Sequence, residues 1–181
     1  MRSPDHSNIR RCALAVTAAL ATLSTGCADG SREPTTSATG PDRQAQVAER
    51  GESIMPFDLD RTTHHFTKTD SGGVQTVVAD DPRDINQATL IRHHLQQEVD
   101  RFRRGDFADP AAIHGDDMPG LAVLRSSAGK IEIEYETTVD GARITYASDA
   151  VEIVSALHAW FDAQVRDHGM HATHGAPSLT G

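Results

Sequence analysis

Cysteine is almost absent from this sequence of 181 residues. The chain has two, Cys12 and Cys27, and both lie near its N-terminus. Residues 28–181 therefore have no thiol, which excludes disulfide bonds, zinc–thiolate sites and cysteine nucleophiles from a domain built by them. Among the side chains that remain, imidazole is the best ligand for a borderline metal ion such as copper or zinc.

Long apolar runs are lacking as well. The run at residues 13–23, ALAVTAALATL, has eleven residues, whereas a helix needs about 20 to cross a bilayer. Three arginines precede this run, and the small residues Ser24-Thr25-Gly26 follow it. A basic start, a short apolar stretch and small residues are typical of a secretory signal peptide, and we predict one over residues 1–26.

Signatures of common catalytic sites are also missing. The chain has no Gly-x-Ser-x-Gly, no phosphate loop of the Gly-x4-Gly-Lys type and no His-Glu-x-x-His. A Ser/His/Asp triad stays open, because its members meet in space and not in sequence. Nothing in the sequence favours one.

The position of Cys27 resembles the lipobox of bacterial lipoproteins, in which the cysteine is acylated and becomes the first mature residue. That family usually has Leu three residues before the cysteine, whereas this chain has Ser24 there and Leu23 one position earlier. We expect lipid on Cys27 to hold the exported protein at the outer face of the cell membrane, in the cell envelope. Plain secretion and an uncleaved anchor are the alternatives.

Charge of one sign dominates the predicted mature chain. Loss of residues 1–26 removes three arginines and one aspartate, so the net charge changes from −9 to −11 over 155 residues. Electrostatics does not draw such an acidic chain to nucleic acid or to an anionic bilayer. We therefore expect no nucleic-acid partner, contact with the membrane through the lipid anchor, and cations as the favoured small partners.

Composition divides the rest of the chain into three parts. Residues 27–52 are rich in Ser, Thr, Pro, Gly and charge, which predicts a disordered tether from lipidated Cys27. Residues 53–169 are long enough for a single domain with one core. Residues 170–181 are predicted to form a flexible tail.

Hydrophobic periodicity predicts an α+β fold for the domain. Two strands followed by a helix occur twice, and Asp/Gly turns join the strands of each pair. The predicted elements are strands 64–69 and 74–79, helix 83–104, a short helical piece 121–127, strands 130–137 and 142–147, and helix 150–167. We expect duplicated ββα units that form a small antiparallel sheet with helices packed on one face.

Histidine is abundant where thiols are absent, with nine residues after the predicted signal peptide. Imidazole, carboxylate and thioether groups together suit copper or zinc. The candidate metal ligands are His64, His65, His94, His114, Asp116, Met118, His158 and His168. The alternative is that these histidines are core or boundary residues and that Asp116 caps a helix.

The central Pro/Gly/Asp-rich loop is the most suggestive place for a site. It contains His114, Asp116 and Met118, and loops on a rigid scaffold commonly hold binding residues. A site built from His114, one of His64 and His65, His94 and His158 requires this loop to fold against the sheet and both long helices. His168, Met170, His171 and His174 near the C-terminus also have metal-like spacing.

Six strings resemble a group of small, uncharacterised bacterial proteins that are often lipoproteins. These strings, which span about residues 55–169, are RTTHHF, GGVQTVVADDP, LIRHHL, GDFADPAAIHGDDMPGL, DGARITY and LHAWFDAQVRDHG. Members often bear the name aspartate carbamoyltransferase. True carbamoyltransferases are larger enzymes with two α/β domains, a Ser-Thr-Arg-Thr phosphate loop and a His-Pro-x-Gln motif, none of which this chain has. The residues therefore argue against that activity.

The sequence favours a membrane-anchored lipoprotein that binds copper or zinc through histidines. One alternative is an interaction module of the cell envelope that docks a protein partner and whose histidines are incidental. Another is a small enzyme that uses His114 with Asp116 or Asp117 as acid and base, or as ligands of a catalytic metal.

Overall fold

The computed structural model describes residues 40–177, which belong to one compact unit. The predicted signal peptide, Cys27 and residues 28–39 lie outside this range, as do residues 178–181. Within it the helices are α1 (Gly40–Glu52), α2 (Ile85–Phe102), α3 (Ala108–His114), α4 (Leu121–Ser126) and α5 (Val151–His168). The strands are β1 (Thr62–Thr69), β2 (Gly72–Ala79), β3 (Glu132–Thr137), β4 (Gly141–Ala147) and β5 (Ala172–His174).

The strands form one sheet in the order β3-β4-β2-β1-β5. Three neighbouring pairs are antiparallel, but β5 runs parallel to β1. The α+β class is confirmed, whereas the expectation of a wholly antiparallel sheet is wrong for this one pair. The predicted duplication is not confirmed, because β5 extends the sheet beside β1 and no described strand does so beside β3.

Alternation along the strands gives the sheet one face that the helices cover. On β4, Ala142, Ile144 and Tyr146 are buried beneath the helices, while the intervening side chains are partly exposed. Helix α2 packs over β3 and β4, and helix α5 packs over β1 and β2. Each aliphatic side chain buried in this way stabilises the fold by about 1.5–3 kcal/mol. None of the described helices is long and apolar enough to cross a bilayer.

Residues 40–52 form helix α1, so the prediction of a disordered tether is wrong for this part of residues 27–52. Val47 is the only large apolar residue of α1 that is fully buried. Arginines dock the helix: Arg43 Nη2 donates to the His114 carbonyl at 2.5 Å, and Arg50 Nε donates to the Ile113 carbonyl at 2.6 Å. These carbonyls lie at the end of α3, where helical carbonyls lack intrahelical partners. Composition gives no signal for docking of this kind.

The beginning of the predicted flexible tail, residues 170–181, is also ordered. A 3-10 turn, Gly169–His171, leads into β5, and β5 pairs His64 with Ala172 in the parallel register. Ala172 is buried. The prediction of a flexible tail is therefore wrong for the residues of this turn and strand. A strand of three residues has too little sequence pattern to be recognised from the sequence.

Helix α3 occupies about half of the predicted central loop, residues 106–120. Pro110 lies in its first turn, where a helix tolerates proline because the missing N–H has no intrahelical partner there. His114 is the last residue of this helix, and Gly115 ends it with a φ of 92°. Helix α3 thereby directs His114 towards the sheet.

Candidate functional site

Four histidines line one cavity of about 50 Å³, partly open to the surface, between the sheet and the helices. His64 comes from β1, His94 from α2, His114 from the end of α3 and His168 from the end of α5. The sequence predicted each of them as a candidate ligand, and the fold brings them together around the same space. A cavity of this size holds about three or four water-sized groups.

Three of these rings form a contiguous group, here called the histidine cluster: His64, His114 and His168. The ring centroids of His64 and His168 lie 5.0 Å apart, with an angle of 11° between the ring planes. The centroids of His114 and His168 are also 5.0 Å apart, at 73°. His168 therefore lies between the other two rings.

The carboxylate of Asp167 is hydrogen-bonded to the His114 ring. Its Nδ1 lies 3.0 Å from Asp167 Oδ2, and Arg43 Nη2 donates to the same oxygen at 2.7 Å. Burial lowers the pKa of His114, and the neighbouring Asp167 only partly offsets this. Burial raises the pKa of Asp167, but the hydrogen bonds from His114 and Arg43 outweigh it and hold this pKa below its usual value. His114 is thus a neutral imidazole that donates from Nδ1 and keeps a lone pair on Nε2.

His64 has the complementary arrangement. The backbone carbonyl of His171 lies beside its ring, while its buried Nδ1 has no partner among the described residues. Burial lowers the pKa of His64 to about 3, and the nearby carbonyl offsets only part of that effect. His64 is therefore neutral at pH 7.

His168 completes the cluster without a hydrogen bond from its ring to any described residue. Burial, followed by the nearby His64 and His114, holds the pKa of His168 well below its ordinary value. Three neutral imidazoles thus lie side by side at pH 7.

Polar groups also line the cavity away from the cluster. Glu98, Gln164 and Trp160 all reach it and are all buried. Burial, together with the neighbouring Asp109, raises the pKa of Glu98 to about 8. Glu98 is therefore protonated at neutral pH and hydrogen-bonded to Asp109, which in turn pairs with Arg101.

Two of the predicted ligands have clear partners away from the cavity. His158 Nε2 lies 3.0 Å from the Thr69 carbonyl and 2.9 Å from the Gly72 carbonyl, so His158 fastens the turn between β1 and β2. Asp116 is exposed and accepts from Arg125 at 2.8 Å. Neither side chain lines the cavity.

The other two predicted ligands lie elsewhere as well. His65 follows His64 on β1 and therefore faces the opposite side of the sheet. Met118 is buried and borders a separate surface cleft beside Arg43. Of the residues near the C-terminus, Met170 is exposed, and His171 supplies its carbonyl to His64.

Sequence reasoning missed the groups that support the cluster. Asp167 directly precedes His168 in the sequence. This position next to a candidate ligand was the one feature that could have identified Asp167 as a supporting residue. Arg43 lies in the segment assigned to the tether, and Glu98, Trp160 and Gln164 fall on the apolar stripes of long helices. Only the packed fold shows that they share a cavity.

As the side chains stand, residues 40–177 contain no group of three or more His, Asp or Glu residues that could hold a metal ion. Comparison of the chain with protein-family models, curated proteins and solved structures finds no match.

Proposed function

We propose that this protein is an exported, lipid-anchored protein that binds a copper or zinc ion through His64, His114 and His168. The observation that supports this most strongly is the contact of three neutral imidazoles, of which His114 is hydrogen-bonded to Asp167 and His64 lies beside the His171 carbonyl. The lipid on Cys27 and the cell-envelope location come from the N-terminal sequence alone.

The oxygen acceptors beside the His114 and His64 rings match the surroundings of metal-binding histidines. A ligating histidine almost always donates its second ring N–H to a carboxylate or a backbone carbonyl, which fixes the tautomer and the direction of the ring. Asp167 is placed for this role behind His114, and the His171 carbonyl, which lies beside the His64 ring, would take it for His64. The nitrogens left over, His114 Nε2 and His64 Nδ1, are those that would bind the ion.

The spacing of the rings also fits. Nitrogen ligands lie about 2.0–2.1 Å from zinc, which puts the ring centroids of tetrahedral histidine ligands about 5 Å apart. The two centroid distances in the cluster are both 5.0 Å. Binding of an ion requires the His168 ring to rotate about its own side-chain bonds so that the three lone pairs meet, and no hydrogen bond from its ring to a described residue opposes that rotation.

The chemistry of the donors selects the class of metal. Imidazole suits zinc and copper, whereas magnesium and calcium prefer oxygen ligands. An acidic chain, with a net charge of −9 before processing, attracts cations. The donor set does not distinguish copper from zinc.

A pair of neighbouring residues gives a sharp test. His64 faces the cavity, while His65 on the same strand faces the other side of the sheet. We expect the protein without residues 1–26, purified with its affinity tag removed, to contain one copper or zinc ion per chain. Elemental mass spectrometry measures this content. His64→Asn should abolish this binding and His65→Asn should leave it unchanged.

Two results would contradict the proposal. One is a protein that takes up neither ion at micromolar concentration. The other is an equal effect of the two substitutions, because only one of the residues belongs to the cluster. Mass analysis of the N-terminal peptide tests the lipid on Cys27 independently of metal binding.

A further inference from the structure

We propose that the part of the cavity beside Trp160 binds a small uncharged amide. The amide carbonyl accepts a hydrogen bond from the Trp160 indole N–H, and the amide N–H groups donate to the carboxyl oxygens of Glu98 or Asp109. This inference goes beyond the proposed function and does not depend on it, because no metal ion takes part. Trp160 precedes His168 by eight residues on α5, about 12 Å along the helix axis, and so lies away from the histidine cluster.

The indole of Trp160 gives the cavity a hydrogen-bond donor that lacks a partner. Trp160 lines the cavity and is 1% exposed, and its Nε1 has no hydrogen-bond partner among the described residues. Nearly all buried polar groups in proteins are paired with another protein group or with ordered water. Because an indole N–H can only donate, an occupant of the cavity has to present an acceptor to it.

Aromatic rings fix the position of this donor. The ring centroids of Tyr146, Phe102 and Phe107 lie 5.7 Å, 6.0 Å and 5.9 Å from that of Trp160. The angles between the ring planes are 82°, 90° and 89°, an edge-to-face arrangement that aromatic pairs prefer. Close packing of this kind keeps the indole from turning towards another acceptor. The donor is therefore preorganised, which lowers the entropic cost of binding.

The carboxyl groups of the cavity favour an uncharged ligand. Glu98 and Asp109 both line the cavity, and Glu98 carries a proton at neutral pH because burial and Asp109 raise its pKa to about 8. The charge of Asp109 is paired with Arg101. Carboxyl oxygens accept hydrogen bonds from ligand N–H groups, but the negative charge of Asp109 disfavours an anion. A cation such as an amidinium has no acceptor for Trp160, whereas an amide has both an acceptor and donors.

Size and apolar walls favour an amide over a single water molecule. The cavity of about 50 Å³ exceeds the roughly 10–15 Å³ that one water needs, and it admits roughly three or four non-hydrogen atoms. Leu95, Phe102 and Ile144 are among the apolar side chains that line it. A short hydrocarbon group that packs against these side chains leaves water, which is favourable. A short-chain amide combines such a group with a polar head.

NMR spectroscopy tests this inference directly, because Trp160 is the only tryptophan of the chain and the folded protein has one indole N–H resonance. We expect acetamide to shift this resonance with saturation at millimolar concentration in the protein without residues 1–26, with a chelator present. Acetate and acetamidinium have the shape of acetamide, but the first is an anion and the second lacks an acceptor. Each should bind at least about tenfold more weakly. Trimethylacetamide, which is too bulky for the cavity, should leave the resonance unchanged.

Trp160→Phe removes the donor and keeps an aromatic ring at this position. Transfer of magnetisation from the protein to the methyl protons of acetamide measures binding without the indole signal. We expect the affinity for acetamide to fall about tenfold in Trp160→Phe, since one hydrogen bond is lost. Phe161→Leu is the matched control and should bind like the unsubstituted protein, because Phe161 is buried on the same helix but does not line the cavity. The comparison of ligands on the unsubstituted protein decides the question if Trp160→Phe fails to fold.

The outcomes separate this inference from the proposed function. An indole resonance that ignores acetamide overturns the inference, even if the protein binds copper or zinc. Acetate or acetamidinium binding as tightly as acetamide overturns it as well, and so does a shift by trimethylacetamide, which would place the amide at the surface. Equal acetamide affinity of Trp160→Phe and Phe161→Leu has the same consequence. A protein that binds acetamide as expected but takes up no metal overturns the proposed function alone.

Discussion

Substitution of Asp167 by Asn measures what the carboxylate behind the histidine cluster contributes. Asp167 Oδ2 accepts from His114 at 3.0 Å and from Arg43 at 2.7 Å, and the side chain is 3% exposed. Asn retains an oxygen at this position, so both contacts can persist without the negative charge. The change therefore isolates the charge from the shape of the residue.

The expected loss of stability follows from these two bonds. A hydrogen bond to a charged group contributes about 1.5–3 kcal/mol and a neutral one about 0.5–1.5 kcal/mol, so the two bonds together lose about 2 kcal/mol. The side chain of Arg43 is 33% exposed, and solvent screening reduces its part. We expect Asp167→Asn to lower the free energy of unfolding by about 1–2 kcal/mol.

Urea unfolding of the metal-free protein at pH 7 measures this loss of stability. Titration with the metal ion measures the change in metal affinity. Loss of an outer partner of a histidine ligand typically lowers metal affinity 10–100-fold. Asp162→Asn is the control, because Asp162 lies on the same helix and forms an exposed ion pair with Lys68. We expect this ion pair to contribute less than about 1 kcal/mol to stability. If both variants unfold and bind metal like the unsubstituted protein, the carboxylate does not support the cluster and the reasoning fails.

Two further predictions concern the fold around the site. The pKa of Glu98 is about 8 in the fold against an ordinary value of 4.5, so the folded state retains a proton that the unfolded chain releases. The stability of the fold therefore falls as pH rises between these two values. Glu98→Gln should therefore raise the free energy of unfolding by at least about 1 kcal/mol at pH 9 and hardly change it at pH 5. Thermal melts at both pH values check this prediction. An equal effect of the substitution at both pH values would contradict it. Gly120 has a φ of 81°, and an added Cβ would lie 2.1 Å from the Ala156 carbonyl oxygen, so Gly120→Ala should lower the melting temperature more than Gly129→Ala. Gly129 has a similar φ of 75° with nothing within 4 Å, and equal melting temperatures would show that the carbonyl moves away.

Periodicity was enough to predict the two hairpins and the two long helices, because each buries a regular apolar stripe. It failed for α1, where Val47 is the one large apolar side chain that is fully buried and arginines make the other contacts. It failed for β5 because three residues contain no period. Elements that dock through polar contacts or through very short strands leave almost no pattern in a sequence.

The sequence identified candidate histidines but could not group them. His158 and His168 lie on the same helix and were both candidate ligands, yet His158 bonds to turn carbonyls and His168 lines the cavity. The difference depends on where the turn after β1 lies relative to α5. The supporting roles of Asp167 and His171 likewise arise from tertiary contacts that spacing along the chain does not encode.

The parallel pairing of β5 with β1 joins residues that are far apart in the chain, since His64 is opposite Ala172. Contacts between such distant segments form late, because closing a long loop is entropically costly. A growing chain thus exposes His64 long before β5, with which it pairs, has been made. In the proposed metal site, capture of the ion would then wait until β5 has joined β1, so that docking of a strand of three residues controls loading of the site.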